Sequence, residues 1–155
     1  SLAAKACGAE VTHVDSVRQV VTWANKNMQL SGLSDIRWIV EDAVRFVQRE
    51  VRRGNTYHGI ILDPPAFGRG RKGELWKLED MIDDLMKLVV QLLDTEEHFL
   101  ILNTYSPGFN QFDAHSVMNA YLPHPEFMEM SELGLRSRSG QDLPLGIINR
   151  VFWQK

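Results

Sequence analysis

Asp63-Pro64-Pro65-Ala66-Phe67 is the stretch whose residue types carry the most chemistry. It follows an apolar run, Tyr57 to Leu62, that is predicted as a buried strand. Proline donates no backbone N–H and cannot extend a strand ladder. Pro64 and Pro65 at a strand's C-terminal edge are therefore costly for structure alone. They stiffen the turn and leave the neighbouring carbonyls free to accept hydrogen bonds from a ligand. Phe67 adds a flat face beside those acceptors. The set suits a planar, amine-bearing molecule such as a nucleobase.

Polar residues recur at other predicted strand ends: Asp15, Asp42 and Asn103, spaced by one strand–helix unit apiece. Asp15 can accept two hydrogen bonds from a ribose diol, or it can cap the next helix with Ser16 sharing that role. Asp42 has the same two readings, the second being a cap on the helix from Ala43. Asn103 is either a site residue or a plain turn residue. The recurrence is a stronger signal than any one position, and it predicts that these strand tips converge on a shared crevice. Arg69, Arg71, Lys72 and Lys77 lie in or near a glycine-containing loop after Phe67. They can grip phosphates or form a solvated charged loop. Arg45, Arg49, Arg52 and Arg53 are expected on a solvated helix face, partly paired with Glu50.

The elements that must position these groups follow from periodicity. Glu10 to Asp15, Ile36 to Val40, Tyr57 to Leu62 and His98 to Leu102 are predicted strands. Helices are predicted from Ser16 to Leu30, Ala43 to Arg53, Leu78 to Leu93 and Phe112 to Leu122. Val17, Val20, Val21, Ala24 and Met28 form the first inward stripe. Val44, Val47 and Val51 form the second, and Leu85, Leu88, Val89 and Leu92 the third. Phe127 to Leu133 and Gly146 to Trp153 have no helix between them and are expected as an antiparallel edge hairpin. The alternation gives an α/β fold with a mostly parallel sheet and helices on both faces. Ser1 to Cys7 has the pattern of a helix interior with no cap before it, stopped by Gly8. This predicts a chain that begins inside a larger protein.

Composition narrows the classes. The chain has 155 residues, 44% of them hydrophobic, which suffices for a core. Its formal net charge of −3 gives no global nucleic-acid signature, though a local basic patch is still compatible with it. A single cysteine, Cys7, excludes an internal disulfide and a cysteine-rich zinc site. A reducing compartment fits, and Cys7 is expected as a buried core thiol. No metal-ligand spacing links the histidines, and no membrane-length apolar run is present.

The whole chain resembles class I methyltransferases that use S-adenosylmethionine. Within them it is most similar to bacterial large-subunit ribosomal RNA methyltransferases whose fourth motif is Asp-Pro-Pro-x-Phe. The matching stretches are Gly8 to Asp15, Glu41-Asp42-Ala43, Ile61 to Gly70 and Trp76-Lys77-Leu78-Glu79. The resemblance implies a single, partial catalytic domain over residues 1–155, with a Rossmann-like sheet, acting in the cytoplasm on RNA. It implies that Asp15, with Ser16, holds the cofactor ribose and that Asp42, with Ala43, holds the adenine. It places Asp63 by the methionine amine and the target base, and gives Pro64, Pro65 and Phe67 the base pocket. It puts Asn103, Arg69, Arg71 and Lys72 on the substrate side. It also implies that the family's first strand and glycine-rich loop precede Ser1, leaving a gap in the sheet here. Ala66 and Thr104 stand where a cysteine nucleophile for C5 methylation of a pyrimidine would be needed. Direct transfer to a base nitrogen is the expected chemistry. The rival expectations are a methyltransferase for a small molecule or protein, and a non-catalytic RNA-binding domain that keeps the fold.

Overall fold

Valine, isoleucine and threonine dominate β1 (Val11–Asp15) and β2 (Ile36–Val40), and their β-branched side chains favour extended backbone. The strands pair in parallel, from Val11 opposite Ile36 to Asp15 opposite Val40. Parallel pairing requires a crossover, supplied by α2 (Arg18–Leu30). A short α1 (Leu2–Ala6) precedes β1, and α3 (Ala43–Arg53) follows β2. The computed structural model describes residues 1–69 and 75–155. The chain divides into two compact units, Ser1–Arg49 and Glu50–Lys155.

In the first unit Val21, Met28, Ile36, Phe46 and Val47 are buried. Val17 and Val20, expected inward, are exposed. Val17 is only the N-cap of α2, and Val20 lies about 100° round the helix from the Val21–Met28 line. Cys7, expected as a core thiol, is exposed. It sits at the C-cap of α1, a helix too short to present a face, and none of whose residues is buried.

The second unit is built on a sheet in the order β3 (Gly59–Leu62), β6 (Glu97–Thr104), β8 (Asp142–Gln154), β7 (Phe127–Arg136). β3 and β6 are parallel, while β8 runs antiparallel to both β6 and β7. The predicted hairpin is therefore present and longer than expected. The predicted β3 shortens to four residues and is not buried on both faces: Ile61 is 57% exposed. Successive strand residues point to opposite faces, so Ile60 and Leu62 turn away from the open side. The loop expected after Phe67 contains an antiparallel ribbon, β4 (Phe67–Arg69) against β5 (Leu75–Lys77). Arg71 and Lys72 lie outside the described residues.

α4 (Leu78–Val89) and α5 (Gln111–Tyr121) complete this unit. The predicted long helix ends at Val89 and passes into a single 3₁₀ turn, Val90–Leu92. Leu88 is only half-buried. The buried stripe of α4 is Leu78, Ile82, Leu85, Met86 and Val89. It joins Leu100, Leu102, Met118 and Val151 in the core. Each such side chain contributes about 1.5–3 kcal/mol when fully buried. α5 starts with a reciprocal cap: the Asn110 side chain accepts from Phe112 and Asp113 N–H groups, and Asp113 accepts from the Asn110 N–H.

Glu50 corrects another expectation. It lies not on the solvated face of α3 but fully buried, accepting hydrogen bonds from Arg53, Asn55 and the Tyr57 hydroxyl. Burial pushes its carboxyl up, but these bonds and the Arg53 charge outweigh that and hold it below the usual range. The expected pairing of the α3 arginines with Glu50 is made by Arg53, and Arg49 pairs with Glu41.

Candidate active site

The strand-end residues fall into two pairs, one in each unit. In the first unit Asp15 ends β1 opposite Val40, and its carbonyl accepts the Glu41 N–H at 3.1 Å. Asp42 is the next residue after Glu41. The two acids therefore share the C-terminal edge of one parallel ladder. Asp15 Oδ1 accepts the Val17 N–H at 2.6 Å, which ties down the entry to α2. Its Oδ2 takes no hydrogen bond from the described residues. Asp42 Oδ1 accepts the Arg45 N–H at 3.0 Å and caps α3. Ser16 is exposed and supplies no side-chain cap to α2. The chain turns there, and Asp15 reaches the free N–H first. Ala43 opens α3 and is exposed.

In the second unit the ends of β3 and β6 meet through side chains. Asn103 Nδ2 donates to Asp63 Oδ1 at 2.7 Å, across forty residues of sequence. The in-register pairing of Leu62 with Leu102 puts Asp63 and Asn103 side by side just beyond it. Asn103 Oδ1 is buried and has no partner among the described residues. Asp63 is exposed, as is Pro65, whereas Pro64 is buried. Phe67 is 66% exposed on β4. Arg69 ends that strand opposite Leu75 and is exposed.

Two of the carbonyls next to the prolines, expected to be free, are taken. Pro65 O accepts the indole N–H of Trp76 at 2.7 Å, and Ala66 O accepts the Leu78 N–H at 3.0 Å. The β4–β5 ribbon brings Trp76 back over the turn, since Gly68 pairs with Trp76. Sequence reasoning gave Trp76 no role. An indole N–H that must find a partner, eleven residues after a proline carbonyl, is a signal visible only once the ribbon is known.

The pair Asp63–Asn103 thus places an exposed carboxylate and a buried amide oxygen at the C-terminal edge of a parallel ladder, the place where open α/β sheets bind ligands. No cluster of His, Cys, Asp or Glu among the described residues could hold a metal ion. No helix among them is long and apolar enough to cross a membrane.

Known structures decide the fold. A SAM-dependent methyltransferase from Agrobacterium tumefaciens superposes with a TM-score of 0.87 at 37% identity, covering 99% of this chain and 51% of that one. The chain has the class I methyltransferase fold. A second methyltransferase-fold protein, SMU.776, solved in complex with SAH, matches 97% of the chain and 40% of its own length at 18% identity and TM-score 0.76. Among curated proteins, one from Methanocaldococcus jannaschii named for ribosomal RNA large subunit methylation is 33% identical over 67 residues, 42% of this chain and 17% of that protein. No protein-family model matches. The chain spans about half the length of the Agrobacterium protein, and a smaller part of the other two. In this fold the Asp15–Asp42 edge and the Asp63–Asn103 edge are both C-terminal edges of parallel ladders.

Proposed function

We propose that the protein carrying this chain is an S-adenosylmethionine-dependent methyltransferase acting on RNA, with ribosomal RNA as its substrate and the cytoplasm as its location. Residues 1–155 belong to one catalytic domain in this reading. The observation that carries it is the Asn103–Asp63 hydrogen bond with the unpartnered Asn103 Oδ1 beside it. A buried acceptor without a donor is costly, so a donor-bearing ligand is the natural complement. A base amino group or an ammonium group supplies such a donor.

In this reading the strand-end residues hold the cofactor. Asp15 Oδ2 is open to a ribose hydroxyl while Oδ1 holds the turn. Asp42 and the backbone of Ala43 take the adenine, and Ser16 lies next to Asp15 on the same edge. Asp63 accepts from the methionine amine or the target nitrogen. When bound, the cofactor supplies an electrophilic methyl group.

On the acceptor side, Phe67 offers its exposed ring for stacking a base. Pro64 and Pro65 keep the turn stiff, and Trp76 fixes it from outside. Asp63 and Asn103 orient the base nitrogen by hydrogen bonding. Arg69, with Arg71 and Lys72, contributes positive charge for phosphates. Ala66 and Thr104 bear no thiol, which supports direct transfer to a base nitrogen in this reading. The similarity to a protein named for ribosomal RNA methylation supports the substrate class.

The test is isotope transfer from labelled cofactor to ribosomal RNA by the complete protein. Transfer to RNA that is lost in Asp63→Ala is expected. Transfer to a metabolite or protein extract alone would redirect the substrate assignment.

A further inference from the structure

The loop between β6 and α5 has no regular structure, and it begins two residues beyond Asn103. With Pro144 to Ile147 of β8 it encloses an open hollow of about 560 Å³, lined by Thr104, Tyr105, Ser106, Phe109, Leu145 and Ile147. Tyr105 is 51% exposed at its rim. The loop closes on itself once, where the Phe109 N–H meets the Ser106 carbonyl at 3.1 Å.

Its outside anchor is one carboxylate. The buried Ser106 hydroxyl donates to Glu79 Oε1 at 2.6 Å. Gly108 faces the same oxygen so closely that a Cβ there would lie 2.4 Å from it. Only glycine leaves room for the carboxylate beneath the turn. Glu79 Oε2 is buried without a hydrogen-bond partner among the described residues, with Lys77 Nζ 4.0 Å away. The Ser106 bond, then the Glu79 backbone N–H and the Lys77 charge, hold this carboxyl below its usual range. Glu79 is part-buried, and leaving one of its oxygens covered without a hydrogen bond gains little for stability alone. Its position explains it. Trp76 and Glu79 flank one short segment: Trp76 holds the turn that follows Asp63, and Glu79 holds the loop that follows β6, the strand that carries Asn103.

We propose that Glu79 is a positioning residue for the methyl acceptor: its carboxylate fixes the Ser106–Gly108 turn and thereby aligns Tyr105, two residues beyond Asn103, with the base. This rests on the methyltransferase reading above. Glu79 itself touches neither substrate nor cofactor in this scheme.

Gly108→Ala is the sharpest test, because the new methyl group evicts a flexible carboxylate while leaving its charge in the protein. Ser106→Ala removes the bond from the other side, and Glu79→Gln keeps an acceptor for the hydroxyl. In the complete protein, Gly108→Ala and Ser106→Ala are each expected to lower kcat/KM for RNA at least about tenfold. Glu79→Gln should lose less. Cofactor affinity by calorimetry should stay within about twofold of wild type, the scatter of independent sites. Amide exchange should accelerate over residues 104–109 and not over 82–89. The Ser106→Ala/Gly108→Ala double variant should be no slower than the worse single, since both cut one contact. Unchanged exchange over 104–109, or an equal loss of cofactor affinity, overturns the proposal. A wild-type protein that binds no cofactor instead sinks the methyltransferase reading, and the proposal with it. Wild-type methylation of RNA matched by Gly108→Ala overturns the proposal alone.

Discussion

Asp15 and Asp42 in one unit, and Asp63 in the other, are acids at the ends of parallel strands, but their neighbours treat them differently. Each of the first two has one oxygen on a backbone N–H two or three residues away. Their own turns account for half of each carboxylate. Asp63 is engaged by a side chain forty residues distant, and nothing in its own turn uses it. An acid held locally is ambiguous between cap and ligand group. An acid held only by another strand's polar tip has no structural duty to explain it.

That contrast can be broken by substitution. Asp63→Ala should reduce methyl transfer about 10³-fold, the range of a lost proton-accepting or orienting group. Its melting temperature should stay close to wild type, because the residue is exposed. A matching collapse of the thermal transition would show a structural acid instead.

Glu50 supplies the opposite extreme, an acid wholly consumed by structure. Glu50→Ala should destabilise the fold by about 3 kcal/mol, read from urea unfolding. Because its folded-state pKa is depressed, the stability it contributes is present above the unfolded-state value and disappears as pH falls through the folded one. A pH series of unfolding midpoints should therefore slope less in Glu50→Gln than in wild type on the acid side.

Asp15→Asn separates the two duties of one carboxylate. The amide oxygen can still accept the Val17 N–H, so the melt should not move. Cofactor affinity by calorimetry should fall about tenfold, as one charge-assisted acceptor is lost. A finer comparison concerns Asp42→Ala, expected to cost about 1 kcal/mol through the α3 cap. Circular dichroism melts would resolve it.

The elements were largely legible because hydrophobic spacing survives in the sequence: β2 and α3 are found at the predicted residues. Burial was less so. Ile61 looks like core in a run of apolar residues, but whether its side of β3 is covered depends on distant elements. Cys7 is apolar by type and exposed by position. The strand-end acids were legible as a series. Asn103 as the partner of Asp63 was not, since that pairing needs the β3–β6 register. The Trp76–Pro65 and Ser106–Glu79 bonds were hidden for the same reason: both are set by a ribbon and a loop, not by local propensity.

β8 follows β7 in the chain yet lies between β7 and β6. Its pairs with β6 run from Glu97–Gln154 to Thr104–Ile147. β6 therefore acquires its full second neighbour only after residues 147–154 are made, and until then the nascent β3–β6 ladder offers a bare side to other polypeptides. Vectorial synthesis thus leaves one side of β6 unpaired until β8 threads in between it and β7.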